Sequence, residues 1–397
     1  MQTILSYGMG VESSAILARW VREPATRPCR LDDLIVITSQ VGDEYEDTGR
    51  DVTAYILPLM RQHRIRYVQV ARRGHLEADG ITVLDDSRRP ETVFLKGDYK
   101  LSDELSRNGT VPQFGGVHRC ALKFKAWVIE RWLEEHLGGP ARHAFGYNAD
   151  EGKRIVKSDS ATSERIAFGF NAEETERIER SREYNTQSRQ AFYPLREWGW
   201  NRQACVDYLA SVFGIEWQRS ACVYCPFNAL GPTGLDRQRI HADQVGDAMA
   251  MEHVSLALNP RGTLYKKHSL IELAVTSSYD AAIARYNLRL RSGTWAVYRV
   301  RRIYAARGRA DRAVEKLAAF ADQESAENRL QQLAAELELS VERLRGIPYV
   351  FRERRSESVF PTREDFLTVA PAAVDDKARY GLPWFEQKWT ALQLRLF

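Results

Sequence analysis

The opening of the chain constrains its fold more than any other stretch. Met1 to Leu5 reads as a short apolar strand, Ser6-Tyr7-Gly8-Met9-Gly10-Val11-Glu12-Ser13-Ser14 as a glycine-bearing turn, and Ala15 to Val21 as an amphipathic helix. Strand, turn and helix in this order direct backbone N–H groups and the positive end of a helix toward an anion. Gly8 and Gly10 can adopt positive φ and let the backbone approach a phosphate closely. Ser6, Ser13 and Ser14 add hydroxyl donors. The pattern is neither G-x-x-x-x-G-K-[ST] nor G-x-G-x-x-G, because no Lys follows the second Gly and Ser13 replaces a third.

The next segments extend the theme. Leu34-Ile35-Val36-Ile37-Thr38 is a β-branched, buried type of strand. An acidic turn, Gln40 to Thr48, a helix over 49–64 and a strand Arg66 to Val70 follow. This alternation predicts an α/β fold, a parallel sheet with flanking helices whose ligand lies at the carboxyl ends of the strands. Residues 72–118 read as a long irregular insertion at the active site. Cys120 to Leu137 reads as a helix with Leu122, Trp127, Ile129, Trp132 and Leu133 in its apolar stripe. Another helix is expected from Arg202 to Phe213, and the pattern beyond about residue 240 is mostly helical. Residues 173–190 are dense in charge.

An eleven-residue unit occurs twice, at 145–155 and 168–178, with seven identical positions. Both copies read as a strand end followed by an acidic-basic turn, and which copy serves a site is open.

With 397 residues, 44% hydrophobic and 28% charged, the chain is long enough for two or three domains of ordinary globular composition. No apolar run reaches bilayer-spanning length, which argues against a membrane partner. The amino terminus lacks a basic n-region, so a cytoplasmic location is expected. The five cysteines, Cys29, Cys120, Cys205, Cys222 and Cys225, do not suit a disulfide framework. Cys222-Val223-Tyr224-Cys225 has the spacing of a metal, cluster or redox site. Nine Arg lie within residues 285–312, interleaved with Tyr286, Trp295, Tyr298 and Tyr304. Among them Arg289, Arg291, Arg299, Arg301 and Arg302 are candidates for a nucleic-acid surface.

Taken together, these motifs resemble the PP-loop ATP pyrophosphatases, in their phosphoadenosine-phosphosulfate-reductase-like branch. The opening turn is similar to S-x-S-G-G-x-D-S, with Gly8, Met9 and Glu12 as departures. Gln40 to Thr48 is similar to D-T-G-x-x-F-P-E-T, with Gln40 in place of Asp. Arg119 to Lys125 resembles R-x-C-T-x-x-x-K, and the repeated unit resembles G-x-R-x-D-E-x-x-R. Tyr193-Pro194-Leu195 through Cys225-Pro226-Phe227 resembles Y-P-L-x-x-W followed by C-x-x-C-P-[FY]. The matches run in the family's order over residues 2–228.

The resemblance implies a PP-loop domain over 1–200, a cysteine module over 201–240 and a helical domain over 241–397. It implies that Ser6, Tyr7, Gly8, Met9, Gly10, Val11, Glu12 and Ser13 hold the pyrophosphate of ATP and its Mg²⁺, with Gly42 and Glu44 beneath the adenosine. Glu12, Arg119, Lys125 and Arg154 are the implied catalytic residues. Cys120, Cys205, Cys222 and Cys225 are the implied ligands of a [4Fe–4S] cluster, with tetrahedral Zn²⁺ the alternative. The reductases of this branch attack with a later cysteine. Pro226 to Phe397 contains none, so sulfur insertion fits better than reduction.

Similar proteins of DNA phosphorothioation systems replace a backbone oxygen by sulfur, which makes DNA the favoured acceptor. A cysteine desulfurase or other sulfur donor, and further proteins of a modification complex, are then the implied partners. tRNA thiolation, reductase-like sulfur metabolism and a non-catalytic nucleotide-gated binding module are the alternatives.

Overall fold

The computed structural model describes residues 2–112, 114, 119–137, 141–144, 189–228, 231–266, 268–306 and 309–393. The repeated unit, Arg154 and Arg307 lie outside them. Two compact units emerge: Met1–Asp103 with Gly115–Cys225, and Glu104–Phe114 with Pro226–Phe397.

The first unit is α/β, as expected. Its strands are β1 (Gln2–Ser6), β2 (Leu34–Gln40), β3 (Arg66–Arg72), β4 (Ile81–Ser87), β5 (Ala141–Ala144) and β6 (Arg189–Phe192). They form one six-stranded sheet in the order β4-β3-β2-β1-β5-β6. Five strands run parallel, and β4 pairs antiparallel with β3 at one edge. Both faces of the sheet are covered. Helix α1 (Val11–Arg22) and the helix Arg202–Phe213 bury Ile16, Leu17, Trp20, Cys205 and Leu209 with Leu5 and Val36. On the other face Val128, Ile129, Trp132 and Leu133 cover Ile4, Ile35, Ile37 and Val68. Every residue of β2 is buried: Leu34 to Ile37 form the apolar run expected of a strand covered on both faces, and the polar end, Thr38, Ser39 and Gln40, is hydrogen-bonded where it is buried.

Three expectations need correction. The insertion at 72–118 is not irregular throughout. β-branched Ile81-Thr82-Val83 supports edge strand β4, and Leu101–Asn108 is a helix. The segment 201–225 belongs to the first unit rather than to a separate cysteine module, because the helix Arg202–Phe213 buries its apolar stripe in that unit's core.

The third correction concerns the carboxyl-terminal region, which is not a helical domain. Strands β7 (Trp295–Ala306), β8 (Arg309–Phe320), β9 (Glu342–Leu344), β10 (Ile347–Glu353), β11 (Thr362–Pro371) and β12 (Lys377–Ala378) form an antiparallel sheet. Their order is β12-β8-β7-β11-β10-β9. Alternation is the physical reason. Along β7, Ala296, Tyr298 and Val300 face the helix Ala242–Leu258, while Trp295 and Val297 face the helix Gln323–Glu336. Among the described residues no helix is long and apolar enough to cross a membrane.

Candidate functional site

The order of the first sheet reverses between β1 and β5, since β2 lies on one side of β1 and β5 on the other. In open α/β sheets such a switch point is where ligands bind, outside the carboxyl ends of the strands. The turn Tyr7–Gly10 emerges there.

Neither glycine of that turn carries its unusual backbone. Met9 does, at φ 59°, whereas Gly10 is extended at φ −92° and ψ −178°. Left-handed geometry therefore falls on the residue aligned with the first Gly of the resembled loop. It is held there by burial of the Met9 side chain and by a hydrogen bond of 3.3 Å from Trp217 Nε1 to the Met9 carbonyl. Gly10 makes no side-chain cap to α1, and the first turn of a helix without such a cap suits an anion. A Cβ on Gly10 would lie 2.9 Å from Ser220 Oγ, so the loop before Cys222 packs directly on the turn.

Buried hydroxyls brace the turn from beneath. Thr38 Oγ1 donates to the Tyr7 carbonyl at 2.8 Å, Tyr67 donates to Thr38 at 3.0 Å, and the Tyr7 and Ser14 hydroxyls are 3.1 Å apart. Burial raises the pKa of both tyrosines, keeping them neutral donors. Ser13 Oγ reaches back to the Gly10 carbonyl at 3.4 Å, and Ser6 Oγ lies 2.7 Å from His143 Nε2. Glu12 is not left as a bare carboxylate. Arg202, 190 residues downstream, donates to it at 2.8 Å. His143, Arg202 and Ser220 went unread in the sequence. An isolated basic or hydroxyl residue so far along the chain carries no local signal of its partner.

The acidic turn and the C-x-x-C loop join into one structure. Glu44 bridges antiparallel to Cys222, with Tyr45 N donating to the Ala221 carbonyl at 3.2 Å and Val223 N to the Asp43 carbonyl at 2.9 Å. Cys225 N closes the C-x-x-C turn on the Cys222 carbonyl at 3.0 Å. Lys125 Nζ donates to Glu44 Oε1 at 3.1 Å, from a π-helical turn at Leu122–Ala126, and Cys222 Sγ lies 3.8 Å from the same oxygen. Burial opposes the charge of Lys125. The Glu44 carboxylate and the Cys222 and Cys225 sulfurs outweigh it and raise the pKa of the ammonium. Burial also pushes the Cys222 and Cys120 thiols up, Lys125 opposing in both cases. For Cys120, burial outweighs the backbone N–H groups at its helix start, which act to lower the pKa.

Beside this pair, burial raises Asp43 to about 6, against a bond from Ser102 N to Asp43 Oδ2 at 2.6 Å. A carboxyl whose folded pKa is raised binds more protons when folded than when unfolded. Its contribution to stability is complete below the ordinary value of 3.8 and is lost as pH rises through about 6. Denaturant unfolding of Asp43→Asn is therefore expected to show a shallower fall in stability between those pH values than the parent chain, and a gain at pH 7.

Of the implied metal ligands, Cys120, Cys222 and Cys225 share Lys125 as an electrostatic neighbour. Cys205 lies elsewhere in kind, fully buried in the apolar core beside Leu209. Among the described residues no group of three or more His, Cys, Asp or Glu side chains could hold a metal ion.

Arg119 is exposed at the start of its helix. The arginine candidates of the second unit turn mostly inward. Arg299 pairs with Asp365 at 2.8 Å, Arg301 with Glu386, and Arg302 donates to Asn259 and to the Leu258 carbonyl at 2.6 and 2.7 Å. Arg289 meets Asp247 at 3.3 Å, and Arg291 is exposed. Among the described candidates Arg289, Arg299 and Arg301 are thus ion-paired within the unit, and Arg302 is hydrogen-bonded there. Comparison of the chain with protein-family models, curated proteins and solved structures finds no match.

Proposed function

We propose that the first unit is an ATP pyrophosphatase of the PP-loop kind, and that the chain adenylates an oxygen of a nucleic acid for sulfur incorporation, with DNA favoured over tRNA. One observation carries the reading: a left-handed residue at position 9, between parallel strand β1 and helix α1, where the resembled loop has glycine. In this reading the β- and γ-phosphates lie on the first-turn N–H groups of α1, with the Ser6 and Ser13 hydroxyls as further donors. Mg²⁺ enters bound to ATP. An acceptor oxygen attacks the α-phosphorus, the bond to the bridging oxygen breaks, and pyrophosphate leaves. Such a step depends on fixed positive charge and aligned donors more than on covalent help. Lys125, held by Glu44 and only partly buried, is the candidate cation assigned to supply it in this reading. The nucleic-acid acceptor rests on the resemblance alone, because Arg299, Arg301 and Arg302 are engaged within the chain.

Pyrophosphate release from ATP, with DNA or tRNA supplied as acceptor, is expected to fall at least about a hundredfold in Ser13→Ala, the range typical of removing an aligned donor, and to fall in Gly10→Ala, whose Cβ would crowd the turn against Ser220 Oγ at 2.9 Å. Unchanged turnover in both would remove the assignment. Mass spectrometry of DNA and tRNA from cells with and without the gene separates the acceptors. Phosphorothioate dinucleotides indicate DNA, and thionucleosides indicate tRNA.

A further inference from the structure

Ser6 and His143 meet across the switch point. Ser6 ends β1, and His143 lies on the neighbouring parallel strand β5, where it is paired with Ile4. The ring is 2% exposed, whereas Ser6 is half-buried, so of the two residues Ser6 is the one a ligand at the switch point can reach. Their separation is 2.7 Å, from Ser6 Oγ to His143 Nε2.

A serine hydroxyl has one proton and two lone pairs. If Nε2 lacks a hydrogen, Ser6 must spend its proton on the ring and can turn only lone pairs toward a ligand, which repels a phosphate oxygen. With hydrogen on Nε2 the ring donates, Ser6 accepts, and the serine proton is free to point into the crevice. An anion in the crevice selects the second arrangement, because only it presents a donor.

We infer that His143 is a positioning residue that donates from Nε2 to Ser6 and so turns the Ser6 proton toward a bound phosphate. The inference rests on the turn being the phosphate site, and it adds a residue that the resembled motifs do not include. His143 acts through Ser6 and does not itself touch the nucleotide.

A double-mutant cycle tests it, with ATP and Mg²⁺ as the probe and calorimetric titration of the full chain as the readout. Ser6→Ala and His143→Phe are each expected to weaken binding about tenfold, the worth of one hydrogen bond to a charged group. The double variant is expected to bind no more weakly than Ser6→Ala. His143→Gln, whose amide nitrogen can reach the place of Nε2, is expected to restore binding to within about threefold of the parent. A purely structural histidine would show neither the non-additivity nor the rescue. Additive losses, or a Gln variant as weak as the Phe variant, would overturn the inference. Should His143→Phe fail to fold, His143→Leu takes its place in the same cycle. If Ser13→Ala weakens ATP binding while Ser6→Ala does not, the phosphate site stands and the role of His143 falls. If neither serine variant moves the affinity, the site itself falls.

Discussion

Replacing Lys125 by methionine is expected to lower stability by about 3 kcal/mol, because it strands a buried carboxylate without its cation. Glu44 is 4% exposed and receives the Lys125 ammonium at 3.1 Å. The lysine side chain is about one-third exposed, which places the cost at the low end for a broken buried pair, about 3 rather than 5 kcal/mol. Methionine keeps the length and apolar stem of lysine, so lost charge rather than lost packing dominates the result. Denaturant unfolding checks the figure. Glu44→Gln in the same background should return most of the loss, since the uncompensated charge is then gone. If the double variant is as unstable as Lys125→Met alone, the ion pair is not the cause. The same substitution bears on function, because Glu44 joins the Cys222 loop to the end of β2, and pyrophosphate release is expected to fall with it.

Much of the first unit could be read in advance, and the reasons are local. The β-branched run of β2 and the apolar stripe from Trp127 to Leu133 announce themselves through periodicity. The unit's failures are long-range or rare. No pattern predicts a left-handed methionine, since tertiary packing has to hold it, and none joins Glu12 to Arg202. Cys205 is instructive, because two signals overlap at it, a thiol and a place in an apolar stripe. It stands four residues before Leu209 on one helix, a spacing that places both on the same apolar stripe. Thiol chemistry suggested a ligand, whereas periodicity pointed to the core.

Two signals overlap in β7 as well. Arg299 and Arg301 alternate with Val300, which is strand periodicity, yet the density of arginine suggested a charged surface. Their carboxylate partners come from β11 and from the helix Leu382–Gln393, far away in the sequence. The hydroxyl network beneath Tyr7 was equally hidden, since Thr38 and Tyr67 belong to different strands.

Gly42→Ala is expected to cost about as much as losing the ion pair, and for a different reason. Gly42 has φ 89°, and a Cβ built on it would lie 2.4 Å from Lys100 Cγ, 2.7 Å from Lys100 Cβ and 3.1 Å from Lys100 Cα. The backbone conformation contributes about 1 kcal/mol and the forced contact about 2 kcal/mol more, because a Cα cannot swing aside as a side-chain tip can. The total of about 3 kcal/mol should appear in denaturant unfolding as a lower midpoint. The Val41 carbonyl accepts from Leu101 N at 2.9 Å, so a shift at Gly42 drags the segment around Lys100 with it. Two neighbouring glycines serve as controls. At Gly10 the contact is the Ser220 hydroxyl, which can rotate, and φ is ordinary, so alanine should cost about 1 kcal/mol there. At Gly8 a Cβ meets nothing within 4 Å, and alanine should change stability by less than about 0.5 kcal/mol. The order Gly42, Gly10, Gly8 follows from backbone angle and neighbour alone. Equal costs at all three would mean that the acidic turn is not shaped as described, and with it the bridge that carries Glu44 to Lys125.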